Sequence, residues 1–161
     1  MKCELCNKKS NVIYNNHNYC IDCYSKIGIK EYNHHNIKPV TKDKYYLNIA
    51  KAVSLESKCL KMKVGAIIVK DDSIVSTGYN GPPRGELHCS KCNRVDVSHG
   101  ESYDKNCPAV HAEENAVINA ARNGSSVLNG TLYLYTGKNV SPCYRCKRLL
   151  INAGIKRIVY K

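Results

Sequence analysis

The sequence predicts an α/β domain on a mixed, partly parallel sheet, preceded by a small metal-stapled module. Three observations carry that expectation. Composition changes once, near residue 40. From Thr41 onward, β-branched runs alternate with helical stretches. Eight of the 10 cysteines stand in four Cys-x-x-Cys pairs, where chance placement would give roughly 0.6 such pairs.

Residues 1–40 are rich in Asn, Lys and Tyr and have no sustained apolar periodicity, ending in the polar linker Asn33-His34-His35-Asn36-Ile37-Lys38-Pro39. Within them Cys3-x-x-Cys6, thirteen residues, then Cys20-x-x-Cys23 form a zinc-knuckle or ribbon pattern, with Asn15-Asn16-His17-Asn18 at the tip of its hairpin. So short a segment cannot bury enough apolar surface by itself, so bound metal supplies the folding energy.

The second domain, residues 41–161, is read element by element. Residues 44–60 predict a helix, with Tyr46, Ile49, Ala50, Val53 and Leu60 near one face. Val64 to Val69 is a strand, Asp71-Asp72-Ser73 a turn and Ile74 to Thr77 the hairpin partner. Residues 78–107 form a long Gly/Pro/Cys-rich connection, a length that calls for a staple or a function. Pro108 opens a helix to Asn123, capped by Gly124. Thr131 to Tyr135 is a strand. Ser141 as N-cap and Pro142 as first helical residue start a helix to Ala153, and Arg157 to Tyr160 is the last strand. Strands separated by helices imply right-handed crossovers and hence partly parallel pairing.

Composition narrows the function. The 161 residues are 43% apolar, enough for a core, so wholesale disorder is excluded. No apolar run reaches the ~18 residues needed to span a bilayer. Met1-Lys2-Cys3-Glu4 opens no secretory segment, so a cytoplasmic protein is expected, and a reducing cytosol favours thiolate metal sites over disulfides. The net charge of +12 suits anionic partners such as nucleotides or nucleic acid. Residues 1–40 hold six Lys against three acids, and the rest nineteen cations against ten acids. The appendage is therefore no more basic than its share, which disfavours a nucleic-acid role for it.

The chemistry gathers at two predicted helix starts. Cys143 and Cys146, three apart, put both sulfurs on one side of a turn, where the helix dipole favours the thiolate. With His111 they make three protein ligands and leave one tetrahedral position open, the pattern of a catalytic zinc. Glu113, two residues past His111, is placed to act as proton carrier. Zinc lowers the pKa of bound water to roughly 7, so hydroxide is available at neutral pH.

These motifs resemble those of the zinc-dependent cytidine and deoxycytidylate deaminase family, in which H-x-E and P-C-x-x-C form the zinc signature. The resemblance covers residues 59–161 and rests on Val64-Gly65-Ala66-Ile67-Ile68-Val69, Thr77-Gly78-Tyr79-Asn80-Gly81-Pro82-Pro83-Arg84-Gly85, Val110-His111-Ala112-Glu113-Glu114-Asn115-Ala116, Ser141-Pro142-Cys143-Tyr144-Arg145-Cys146 and the segment Ile151 to Tyr160. The G-Y-N-G-x-P-x-G loop is similar to that of the members acting on deoxycytidylate (dCMP). The resemblance implies a three-layer cytidine-deaminase-like fold and hydrolysis of dCMP to dUMP and ammonia. His111, Cys143 and Cys146 would hold the catalytic zinc, Glu113 would shuttle the proton, and Asn80 would contact the nucleoside. It also implies a structural zinc on Cys59, Cys89, Cys92 and Cys107, with His88 as an alternative ligand. One catalytic and up to two structural zincs are therefore expected. A homo-oligomer and dCTP or dTTP as effectors are implied too.

Lys61, Lys63 and Arg84 flank the motifs and are candidates for the substrate phosphate, set against a solvated basic surface. The family continues into a fifth strand and a terminal helix, so the sheet is expected to be C-terminally short, its edge covered by another subunit. Two rival readings stay open. One is a tRNA adenosine or DNA/RNA cytosine deaminase targeted by the N-terminal module, which the G-Y-N-G loop disfavours. The other is a non-catalytic zinc protein for binding or assembly, which has no use for an unligated Glu113.

Overall fold

The computed structural model describes residues 1, 2, 4, 6–9, 12–14, 17–19, 23, 40–96 and 107–161. The chain forms two compact units, Met1–Pro39 and Val40–Lys161. In the first, β1 (Val12–Tyr14) and β2 (His17–Tyr19) pair antiparallel, with Val12 opposite Tyr19 and Tyr14 opposite His17. His17 and Asn18 thus belong to the second strand and not to the hairpin tip where the sequence put them. Lys2 and Lys9 form an isolated bridge. Cys6 is exposed and Cys23 half-buried, whereas Cys3, Cys20 and the linker at 33–39 lie outside the described residues.

The second unit runs α1 (Lys42–Ser54), β3 (Gly65–Lys70), β4 (Ser73–Tyr79), α2 (Ala112–Arg122), β5 (Thr131–Tyr135), α3 (Tyr144–Asn152) and β6 (Arg157–Tyr160). Its sheet has the order β4-β3-β5-β6. β3 is antiparallel to both neighbours, and β6 runs parallel to β5. This is the mixed sheet the sequence predicts. Asp71 and Asp72, at φ 48° and 60°, make the two-residue turn between β3 and β4. Left-handed pairs of this kind match the twist of a hairpin, and Asp tolerates them better than most residues.

β3 is buried on both faces because helices cover the sheet on each side. Ile67 and Val69 face one way and pack with Tyr133 under Tyr46 and Ala50 of α1. Ala66 and Ile68 face the other way and pack with Leu132, Leu134, Ala112, Ala116 and Leu150 of β5, α2 and α3. The period-two alternation of a strand thus sorts one helix to one layer and two helices to the other.

Two glycines set these distances. A Cβ on Gly65 would stand 2.2 Å from the Ala50 carbonyl oxygen, and one on Gly78 would stand 2.3 Å from the Ala116 nitrogen. Helix backbones rest directly on the sheet at both points.

Thr41 caps α1 by accepting from the Lys44 amide at 3.3 Å. The helix stops at Ser54, short of the predicted residue 60, where tighter turns take over and carry Ser57 inward. Leu60, expected on the buried face, is exposed. Asp43 then locks the layers: it accepts from Tyr133 Oη at 2.9 Å and from Arg157 Nη1 at 3.0 Å, joining α1 to β5 and β6. Among the described residues no helix is long and apolar enough to cross a membrane.

Candidate active site

Each of the two helices on one face of the sheet begins with a metal-ligand type of residue. Gly81 and Val110 exchange backbone hydrogen bonds of 3.2 and 2.8 Å, which hold the segment before α2 extended. Helix α2 therefore starts after His111, its N-cap (φ −72°, ψ 157°), and not at Pro108 as expected. Likewise Cys143 is the N-cap of α3 (φ −64°, ψ 164°), so Ser141 and Pro142 precede the helix where the sequence made them its cap and first residue. Cys146 follows one turn later and is fully buried.

His111 Nδ1 lies 3.2 Å from Cys146 Sγ and 3.5 Å from Cys143 Sγ. All three donor atoms lie within 4.8 Å of one another, the only such group of three among the described residues. A tetrahedral zinc with ordinary Zn–N and Zn–S bonds would set each N···S separation at about 3.6 Å, so the donor set fits that ion.

The electrostatics point the same way. Burial, reinforced by the charges of Glu113 and Cys143, pushes the Cys146 thiol far up. Desolvation thus outweighs the helix-dipole lowering expected from its position, and a cation is needed to make the thiolate. Glu113, 4% exposed, has its carboxyl pushed up to about 7 by burial, with the Glu114 charge adding to it. A carboxyl titrating there can give and take a proton at neutral pH.

These groups open on a cavity of about 450 Å³. Glu113, His111, Cys143, Asn80 and Lys61 line it. Lys63 is exposed and stands outside its lining, and Arg84 instead donates to Asn119 Oδ1 of α2 at 2.7 Å. Sequence reasoning missed three further cations on the wall, Arg94, Lys138 and Arg145. Arg94 and Lys138 lie on loops that reach the cavity only through tertiary folding, and Arg145 lies within the Cys143–Cys146 motif, which marked the sulfurs and not the residues between them.

Asn80 is 8% exposed and is part of the wall's framework. Its Oδ1 accepts from Ser57 Oγ at 2.7 Å and from the Val64 amide at 2.8 Å, and its Nδ2 donates to the Met62 carbonyl at 2.8 Å. Those bonds use both carbonyl lone pairs and one of two amide hydrogens, so one N–H is left for a ligand among the described residues. Ser57, unnoticed in the sequence, is the buried partner of this network.

A second cavity, also about 450 Å³, is lined by Cys59, Cys89, Cys92, Cys107 and His88. Cys59, Cys92 and Cys107 also border the first, so the two share a wall. The four sulfurs are not drawn together as the His111 trio is, and residues 97–106 of the connecting loop lie outside the described residues.

Three clustered donors, two of them on the cavity wall, with a buried carboxyl beside them and a three-layer α/β scaffold behind, have the arrangement of a candidate metal centre of the deaminase class. The model of the cytidine and deoxycytidylate deaminase zinc-binding region matches residues 40–161, and the chain belongs to that family. It is 41% identical to the deoxycytidylate deaminase of Mycobacterium phage D29 over 124 residues, covering 73% of this chain and 92% of that protein. To the deoxycytidylate deaminase of Enterobacteria phage T2 it is 35% identical over 149 residues, covering 71% and 76%. The crystal structure of dCMP deaminase from cyanophage S-TIM5 in complex with dCMP and dUMP superposes with a TM-score of 0.61, at 32% identity over 78% of this chain and 83% of that one.

Proposed function

We propose that this protein hydrolyses dCMP to dUMP and ammonia. The observation that carries the reading is the gathering of His111 Nδ1 and two sulfurs beside a buried carboxyl that titrates near neutrality. The relatives named above, and the related structure holding dCMP and dUMP, support the choice of substrate.

His111, Cys143 and Cys146 would hold zinc, which when bound polarises water so that it ionises near neutral pH. Glu113 takes the proton that water gives up, delivers it to ring N3, and passes a further one to the amine leaving C4. One water is consumed, a C–N bond breaks, a C=O bond forms and ammonia departs. The free Asn80 N–H would orient the nucleoside. Lys61, Arg94 and Lys138, which line the same cavity, would meet the phosphate dianion.

The same reading includes a structural zinc on Cys59, Cys89, Cys92 and Cys107, and another on Cys3, Cys6, Cys20 and Cys23 in an N-terminal zinc-ribbon-like module spanning residues 1–40. It further includes a homo-oligomer in the cytoplasm, regulated by dCTP and dTTP. Light scattering with and without either nucleotide tests the last point.

The deciding experiment follows ammonia release from dCMP, CMP, dCTP and a single-stranded oligonucleotide. dCMP is expected to turn over fastest, and Glu113→Gln to slow it at least about 10²-fold with zinc content unchanged. Equal slowness on all four substrates would overturn the reading. Zinc per chain adds a count: about three if all sites fill, two if one structural site is absent, one if only the catalytic site holds metal.

A further inference from the structure

We propose that Glu114 and Arg145 form a clasp between the two helix starts and are positioning residues for the metal site. The inference rests on the reading that His111, Cys143 and Cys146 hold zinc. Glu114 is 5% exposed, an unusual place for a carboxylate unless both oxygens are engaged. They are: Oε2 accepts from the His111 amide at 3.0 Å, and Oε1 lies 3.0 Å from Arg145 Nε.

The two partners sit on different helices, each next to ligands. The His111 amide belongs to the N-cap of α2, and Arg145 stands between Cys143 and Cys146 in the first turn of α3. Glu114, the third residue of α2, closes the N-terminal side of a capping box by accepting from the amide of the N-cap residue. Capping alone would need only that one bond. The bond to Arg145 does something capping does not: it couples the His-bearing backbone to the Cys-bearing turn across 31 positions of sequence. Groups that orient ligands in this way tune metal affinity, because they set donor spacing before the ion arrives.

The test measures zinc affinity of the full-length chain by competition with a chromogenic chelator, alongside the visible spectrum of the cobalt-substituted protein. His111→Ala serves as control: the zinc it loses identifies this site among the others. Arg145→Gln is expected to weaken that zinc by about tenfold and to alter the cobalt bands. Glu114→Gln, which keeps an acceptor for the His111 amide, should do the same. The double variant should be no weaker than the worse single one, because both remove one interaction.

Arg145 is largely exposed, so its variant will fold even if the Glu114 variant does not, and it decides the matter alone. Wild-type zinc affinity in Arg145→Gln, or a raised KM for dCMP with affinity and cobalt spectrum unchanged, overturns the clasp and makes Arg145 a substrate contact. If His111→Ala loses no zinc, the underlying metal assignment falls, and the clasp with it.

Discussion

Two sets of sulfur-bearing residues face neighbouring cavities, and they are organised in opposite ways. The His111, Cys143 and Cys146 donors sit on helix starts and lie within 4.8 Å of one another. Cys59, Cys89, Cys92 and Cys107 sit on loops, line one cavity and remain apart. In the first set, packing of α2 and α3 on the sheet supplies order to the backbone that carries the donors. In the second, the ion itself would have to supply it. A site that must leave a corner open for chemistry needs donors fixed by scaffold, whereas a staple can be shaped by what it binds.

That contrast can be broken most visibly by removing one ligand from each set. His111→Ala should abolish dCMP turnover yet leave circular dichroism and melting temperature close to wild type. Cys92→Ala should retain turnover while lowering the melting temperature and exposing residues 80–96 to protease. Equal effects from both would show that the two sets do not differ in the way described.

Next in size is Gly78→Ala. The new methyl would collide with the Ala116 nitrogen and with the Ala112 carbonyl at 2.4 Å, lifting the helix that carries His111. A loss of about 1–3 kcal/mol on denaturant unfolding is expected, with weaker zinc binding as companion. Wild-type zinc affinity in a destabilised variant would mean that the scaffold does not fix the trio.

The change spread most gradually over conditions is a pH dependence of the zinc-free protein. Glu113 titrates near 7 when folded, against an ordinary 4.5. Between those values the folded chain keeps a proton that the unfolded chain has lost, so stability falls as pH rises and levels off above 7. Melting curves of chelator-treated protein should show that slope, and Glu113→Gln should flatten it. A slope of opposite sign would refute the buried-carboxyl account.

Much of this was legible in the residues themselves. The bounds of β5 and β6 match those expected, because each is a short β-branched and aromatic run with a glycine close before it. The two halves of the candidate donor group were readable because each motif is local, three residues between the sulfurs and two from His111 to Glu113, whereas their meeting across 32 residues comes from the fold. The helix starts were misread because proline at a first turn is a local preference, and the Gly81–Val110 bridge and the extended Cys143 override it. Lys63 and Arg84 show a related gap: flanking a motif does not say where a long side chain goes, and Arg84 goes to Asn119. The Glu114–Arg145 contact spans two helices, so no pattern in either segment announces it.

The Asn80 network has a consequence for how the molecule ages. Asn80 is followed by Gly81, the dipeptide most prone to cyclise and lose ammonia spontaneously, when the glycine nitrogen attacks the side-chain carbonyl. Here that nitrogen is tied to the Val110 carbonyl, and the Asn80 amide is held by Ser57, Met62 and Val64. The folded chain therefore shields this one of its three Asn-Gly pairs, and long storage should damage this position only in molecules that have already come open.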